Sequence, residues 1–248
     1  MNIIEKVNRT RYTLKEILEN EWDVSQLSDL SISEVEKMYN VPSSKNTGIA
    51  SFGVASGCNF TLHHKKIPSH SLHIIYYNFP EVGRESSKVT KTAVDKILNL
   101  YKSDIINKDD SILIIINDKV SETLETSFND LNILLQNEEE LDEEIQIEMK
   151  KNKVMLEKRH FRNVFIFNVD ILTNNLLDHR LVPKHSVIRD KKEIKKILND
   201  CNCSIHQLPI ILKNDTVSKL IRLVPGDLCK IERNSSTCGE YPFYRLCK

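Results

Sequence analysis

Residues 111–116 read Ser-Ile-Leu-Ile-Ile-Ile, between Asp110 and Asn117. A strand with one wet face alternates apolar and polar residues, whereas an unbroken apolar run must be covered on both faces. Such a strand belongs inside a sheet. Ser71–Tyr77 (Ser-Leu-His-Ile-Ile-Tyr-Tyr) reads as a second strand, aromatic and β-branched, and Arg162–Ile171 as a third. Between the first two, Lys88–Lys102 is amphipathic, with Val94, Ile97, Leu98 and Tyr101 on one side. Strand, helix, strand predicts a parallel α/β unit with a right-handed crossover.

The flanks are legible too. Ile4–Tyr39 reads as helix, break, helix: Val7, Leu14, Ile17 and Leu18 form one apolar face, Ser31-Ile-Ser33 caps the second helix, and Trp22 and Leu27 close a small core. Asn46–Lys66 suggests short strands with loops. Asn78–Arg84 is a turn, because Pro80 blocks strand pairing and Gly83 permits a positive φ. Asn137–Lys158 differs in kind. Glu138–Glu148 holds seven acids and no base before Lys150, Lys151 and Lys153. It fits either a solvated helix that complements its own dipole or a disordered insertion.

The charge distribution divides the chain. Its 35 Lys/Arg and 35 Asp/Glu cancel over 248 residues, yet Leu176–Lys248 carries 14 of the former against 8 of the latter, a net +6 that leaves −6 for the rest. That asymmetry predicts two units with different partners. In the second, Val187 marks a short strand, Asp190–Cys201 a helix with Ile194 and Leu198 on one face, and Leu208–Leu212 an extended segment. Asp215 caps a short helix through Leu220, Pro225-Gly226-Asp227 turns into an edge strand Asp227–Arg233, Ser235–Gly239 is a turn, and Tyr241–Cys247 alternates again. The expected fold is an α/β N-terminal domain (1–171), a linker (172–178) and a small α+β C-terminal domain (179–248) with a mixed or antiparallel sheet.

Motifs for chemistry are scarce. The six glycines form no phosphate loop, and neither HExxH nor GxSxG occurs. Cys201-x-Cys203, with His206 near, lacks zinc-knuckle spacing, so the cysteines read as reduced and mostly buried thiols. His63, His64 and His70 read as surface-loop histidines rather than ligands. Glu148-Met-Lys150 has the spacing of a nuclease motif but sits in the acidic helical segment, and Asp109-Asp110 shows no clear partner. The expectation is no catalytic residue, no metal and no cofactor. No stretch approaches the ~20 apolar residues of a membrane helix, and Met1–Thr10 contains no apolar block. The chain is therefore expected to be soluble and intracellular.

One resemblance is specific. Leu181-Val-Pro-Lys-His185, Gln207-Leu-Pro209, Asp215 and Val217, Pro225-Gly-Asp-Leu-Cys-Lys-Ile231 and Tyr244-Arg-Leu-Cys247 occur in that order over about 70 residues. This resembles the fifth shared subunit of eukaryotic RNA polymerases and its small archaeal counterpart. The start of the chain is more loosely similar to the jaw domain of the eukaryotic subunit, through Asn8–Glu21 and Ile74–Gly83; the archaeal form lacks that domain. Departures include Ile210, Thr216, Ser236 and Glu240, where the family has Arg, Pro, Glu and Arg. That divergence, with an Asn/Ile/Lys-rich composition, suggests a version encoded by a large DNA virus.

The resemblance implies a non-catalytic polymerase subunit and not an obligate homo-oligomer. Its C-terminal domain would dock on the largest subunit and others through Pro183, Lys184, His185, Gln207, Leu208, Pro209, Asp215, Gly226, Asp227, Tyr244 and Arg245. Its jaw would lie beside downstream double-stranded DNA, with Pro80, Gly83, Arg84, Lys88 and Lys91 near the duplex and no sequence preference. The implied location is the nucleus for a cellular protein, and the virion and the host's cytoplasmic or nuclear transcription site for a viral one. A stand-alone DNA-binding transcription adaptor and a Mg²⁺-dependent nuclease are the alternatives.

Overall fold

The computed structural model describes residues 1–41, 52–84, 88–137, 140–235 and 239–248. The chain forms two compact units: 1–154 with 161–174, and 155–160 with 175–248. Residues 155–158, expected at the end of the acidic insertion, thus belong with the second unit.

In the first unit, helices α1 (Ile3–Leu18) and α2 (Ile32–Asn40) precede a four-stranded sheet. The serine cap was legible: the Ser31 side chain accepts from Glu34 N while the Glu34 carboxylate accepts from Ser31 N, a reciprocal capping box. The strands are β1 (Phe60–His64), β2 (Ile67–Tyr77), β3 (Ser111–Ile116) and β4 (Val164–Asn168), in that order across the sheet. β1 runs antiparallel to β2, and β2, β3 and β4 are parallel. Every residue of β3 is buried, as its unbroken run requires.

Helices α3 (Thr92–Lys102) and α4 (Glu122–Gln136) cover one face. There Ile97, Leu100, Phe128 and Leu131 pack with Ile75, Ile112, Ile114 and Ile166. On the opposite face the Tyr76 hydroxyl meets Thr10 Oγ1 of α1 at 2.9 Å. Helix α3 begins at Thr92, four residues later than its amphipathic pattern suggests. The chain before it is held instead by Val89 N donating to the Asp118 carboxylate. Lys88 therefore precedes the helix and Lys91 is its N-cap.

Helix α4 was missed in the sequence. The acidic segment resolves into α5 (Glu143–Lys151), which buries Ile145 and accepts Ser69 N and Oγ on its Glu148 carboxylate. Within the described part of the segment, 143–151 is thus a helix that buries one residue and leaves its acids largely exposed.

Two further corrections concern polar groups. His64 and His70 lie on β1 and β2, 7% and 3% exposed, against the fully buried Trp22. They are core groups, not loop histidines. Asp109 and Asp110 do have partners. The Arg162 guanidinium reaches Asp109 at 2.6 Å with both side chains 3% exposed, and His73 Nε2 lies 3.0 Å from Asp110. Asp110 also accepts from Ser71 N. Carboxylates tied up this way are not arranged to hold a catalytic metal, and among the described residues no three His, Cys, Asp or Glu gather as a metal site.

The second unit holds β5 (Lys184–Ile188), α6 (Lys191–Asp200), β6 (Ile210–Ile211), α7 (Thr216–Leu220), β7 (Leu228–Ser235) and β8 (Gly239–Cys247). Its sheet order is β5-β7-β8-β6. β7 is antiparallel to both neighbours and β6 parallel to β8, so the sheet is mixed. β7 is an inner strand, correcting the edge position read from the sequence. Its Leu228–Ile231 core is covered by a layer on each face. Asp215 caps α7 as expected, accepting from Val217 N and Ser218 N. The expected turn at Ser235–Gly239 includes 236–238, which lie outside the described residues. Cys229 and Cys247 are buried, and burial pushes their thiols up to about 11 and 12. Cys58 is likewise buried, but Cys201 is exposed.

No helix among the described residues is long and apolar enough to cross a membrane.

Candidate functional site

The second unit is organised around one carboxylate. Asp227 ends the Pro225-Gly226-Asp227 turn with its side chain 0% exposed. Its Oδ1 lies 2.9 Å from His160 Nε2 and 3.2 Å from Arg159 Nη2, and its Oδ2 lies 3.3 Å from Arg189 Nε. Val224 N also donates to Oδ2. Burial alone would raise this carboxyl's pKa. The His160 hydrogen bond and the charges of Arg189, His160 and Arg159 outweigh burial and hold it below the usual value. Arg159 Nη1 donates to the Pro225 carbonyl at 2.7 Å. Gly226 has φ +93°, and a Cβ there would sit 1.9 Å from Arg159 Nη1. Glycine is needed both for that backbone conformation and for the close approach. Asp227 is therefore an internal tie, unavailable to a partner in this fold.

The other residues expected at a partner surface divide by burial. Leu208 is buried in the core beneath α6, and Tyr244 packs partly against the same cluster. Lys184, with a 77% exposed side chain, lies on β5 within 3.7 Å of the Glu232 carboxylate. Pro183 offers its carbonyl to His185 Nδ1 at 2.6 Å. Burial lowers the His185 pKa, against the raising effect of that hydrogen bond and of Asp215. Gln207, Pro209 and Asp215 are exposed. Gln207 Oε1 accepts from Ser204 N, and the Pro209 carbonyl accepts from Leu246 N, pinning β6 to β8. Arg245 lies on the face of β8 opposite Tyr244 and donates from Nη1 to the Ile210 carbonyl at 3.0 Å.

Over residues 174–247 the chain matches the family described as RNA polymerase Rpb5, C-terminal domain. It is similar to three archaeal proteins named DNA-directed RNA polymerase subunit Rpo5. One, from Methanosphaera stadtmanae, is 39% identical over 74 residues, 30% of this chain and 95% of that protein. Another, from Archaeoglobus fulgidus, is 46% identical over 71 residues, covering 29% and 92%. The third, from Methanosarcina acetivorans, is 46% identical over 72 residues, covering 29% and 91%. The chain belongs to the Rpb5/Rpo5 family of RNA polymerase subunits.

The Rpb5-type match begins at residue 174, so Arg159 and His160, which complete the Asp227 cluster, lie outside it. Sequence reasoning had no means of finding them. Arg233 and Phe243 were also missed, although period-two spacing puts Phe243 on the same face as Arg245.

In the first unit, the residues expected near DNA sit at one end of the parallel strands. Tyr77 pairs with Ile116 and Ile116 with Asn168, so the turns leaving β2, β3 and β4 emerge side by side. Asn168 Nδ2 donates to the Asp118 carbonyl at 2.8 Å, joining two of them. Pro80 is half-buried, and its carbonyl accepts from the Tyr39 hydroxyl. Gly83, at φ +87°, is exposed with open space where a Cβ would stand. Lys88 and Lys91 are exposed. Arg84, also exposed, pairs with Glu81 at 3.0 Å.

Proposed function

We propose that the chain acts as a non-catalytic subunit of a multi-subunit DNA-dependent RNA polymerase, with its second unit docking on the largest subunit and its first unit beside downstream DNA. The observation that carries this reading is the match of residues 174–247 to proteins that consist almost entirely of that stretch and are named polymerase subunits. The exposed members of the expected surface, Lys184, Gln207, Pro209 and Asp215, are the ones to meet a partner. Pro183, Gly226 and Tyr244 hold the backbone and core behind them. For the first unit, support comes from the shared end of the parallel strands, where Pro80, Gly83, Arg84, Lys88 and Lys91 surround neighbouring turns. A Mg²⁺-dependent nuclease gains no support, because Asp109, Asp110 and Glu148 are committed to Arg162, His73 and Ser69.

Native purification through a tag at Met1, followed by mass spectrometry and an RNA-synthesis assay, tests the subunit reading. The expected result is recovery of the two largest polymerase subunits in equal amounts, with RNA synthesis. Their sequences also decide between a viral and a cellular enzyme, of which we propose the viral. A chain recovered alone would overturn the reading and favour the adaptor. In the purified enzyme, Lys88→Glu with Lys91→Glu is expected to weaken DNA binding and to flatten its salt dependence by about 0.9 in the log–log slope for each phosphate no longer neutralised. An unchanged slope would remove these two residues from the DNA path.

A further inference from the structure

The face of the second unit's sheet opposite α6 carries a stack that the fold does not use. Cys229 pairs with Arg245, Ile231 with Phe243 and Arg233 with Tyr241, so Arg233, Phe243 and Arg245 share that face. The Arg233 guanidinium carbon lies 4.9 Å from the Phe243 ring centroid and that of Arg245 lies 5.4 Å away. Each stack orders a guanidinium by cation–π attraction. Two like charges gathered on one ring also repel each other, and an anion bound between them would relieve that.

Their donors are poorly used. Arg245 spends Nη1 on the Ile210 carbonyl, while its Nε is screened from water and has no acceptor. Among the described residues neither arginine pairs with a carboxylate within 4.0 Å. The nearby charges are of both signs: His185 on β5 senses Arg233, Arg245 and Asp215. The Arg245–Ile210 hydrogen bond ties the stack to the backbone of the edge strand β6, and Tyr241 beside Arg233 remains 40% exposed.

We propose that this face docks an extended acidic segment of a partner protein, its carboxylates on Arg233 and Arg245 and its apolar side chains against Phe243 and Tyr241. This rests on the reading of the second unit as a docking module. The planar guanidinium fork matches a carboxylate in bidentate fashion, and the net +6 of residues 176–248 steers an acidic segment toward it. Nucleic acid fits less well. Phosphate backbones are held by arrays of cations, whereas this patch sets two arginines around the aromatic rings of Phe243 and Tyr241 with Asp215 close by.

The test uses the full chain and a fluorescein-labelled peptide of alternating glutamate and valine, read by anisotropy. A lysine–valine peptide and duplex DNA serve as comparisons. The acidic peptide is expected to bind and the basic one not. Arg233→Glu and Arg245→Glu should each weaken binding about tenfold or more, on the scale of a lost charge-assisted hydrogen bond. Arg245→Lys should fall between, because lysine keeps the charge but not the fork. Lys191→Glu with Lys192→Glu, on α6 across the sheet, should change binding less than about twofold by surface electrostatics. Arg233 is exposed, so its reversal spares the core.

Equal losses from the α6 and sheet-face reversals would overturn the proposal in favour of unspecific charge attraction. Duplex DNA binding lost on the Arg233 and Arg245 reversals, with no peptide binding, would overturn it in favour of nucleic acid. Failure of polymerase to copurify with the wild-type chain would sink the subunit reading while leaving peptide binding intact, so the two can fail separately.

Discussion

Asp227→Asn is expected to destabilise the second unit by about 3 kcal/mol, because removing one member of a buried charge cluster leaves the others uncompensated. The substitution preserves shape and isolates charge. His160 and Arg189, with side chains 3% and 15% exposed, would face a neutral amide. Arg159, 35% exposed, recovers part of its hydration, which keeps the cost at the low end. Amide hydrogen exchange along β7 and β8 reads this unit by itself, and protection there should fall by about two orders of magnitude. Arg159→Ala and His160→Ala act on the same cluster, so their costs should be non-additive with Asp227→Asn. The pH dependence follows from the depressed carboxyl. Its stabilising effect is complete above the unfolded pKa, about 3.9, and is lost as the pH falls through the lower folded value. The variant should lack that acid-side loss. Unchanged protection would mean that Val224, Pro225 and Gly226 hold their turn without the carboxylate.

The parts of this fold that could be read from sequence are those fixed by neighbours along the chain. The run from Ile112 to Ile116 specified a strand buried on both faces because strand periodicity is local. Ser31 and Asp215 announced helix starts because a cap acts within three residues. Helix α4 shows how a local signal can be masked. Leu124, Phe128, Leu131 and Leu135 keep helical spacing, and Ser121 caps them, but Thr123, Thr126, Ser127, Asn129 and Asn132 favour turns and caps elsewhere. Burial of Phe128 and Leu131 against the sheet overrides that preference.

The polar core could not be read at all. Asp109 meets Arg162 across 53 positions and Asp227 meets His160 across 67, and no periodicity relates residues so far apart. The candidate surface rests on a family-like motif whose residues fall on β5, β7 and β8 and the segments beside them, but alternation and burial decide which of them face out. That puts Asp227 and Leu208 inside and brings Arg233 and Phe243, outside the motif's obvious positions, to the surface beside Arg245.

The first unit is expected to lose stability in acid through His70. Its ring is 3% exposed between Trp22 and Phe161, with centroids 5.2 and 4.6 Å away. Burial, reinforced by the nearby His64 and His73, pushes its pKa down to about 3, against a small opposing effect from the Asp109 backbone. The unfolded chain binds this proton near pH 6.5 and the folded unit does not, so the unfolded state gains protons first as the pH falls. Stability is therefore full above about pH 6.5 and declines toward pH 3, with a limiting slope of about 1.4 kcal/mol per pH unit from this one group. Trp22 is the chain's only tryptophan and touches the His70 ring, so denaturant titrations followed by its fluorescence at several pH values report on this unit. His70→Phe keeps a ring against Phe161, removes the Nδ1 that has no hydrogen-bond partner, and should flatten the slope between pH 6.5 and 4. The carboxylates of the first unit are common to both proteins, so the difference between the two curves isolates the histidine. Parallel curves would mean that the buried ring takes up its proton without opening the core.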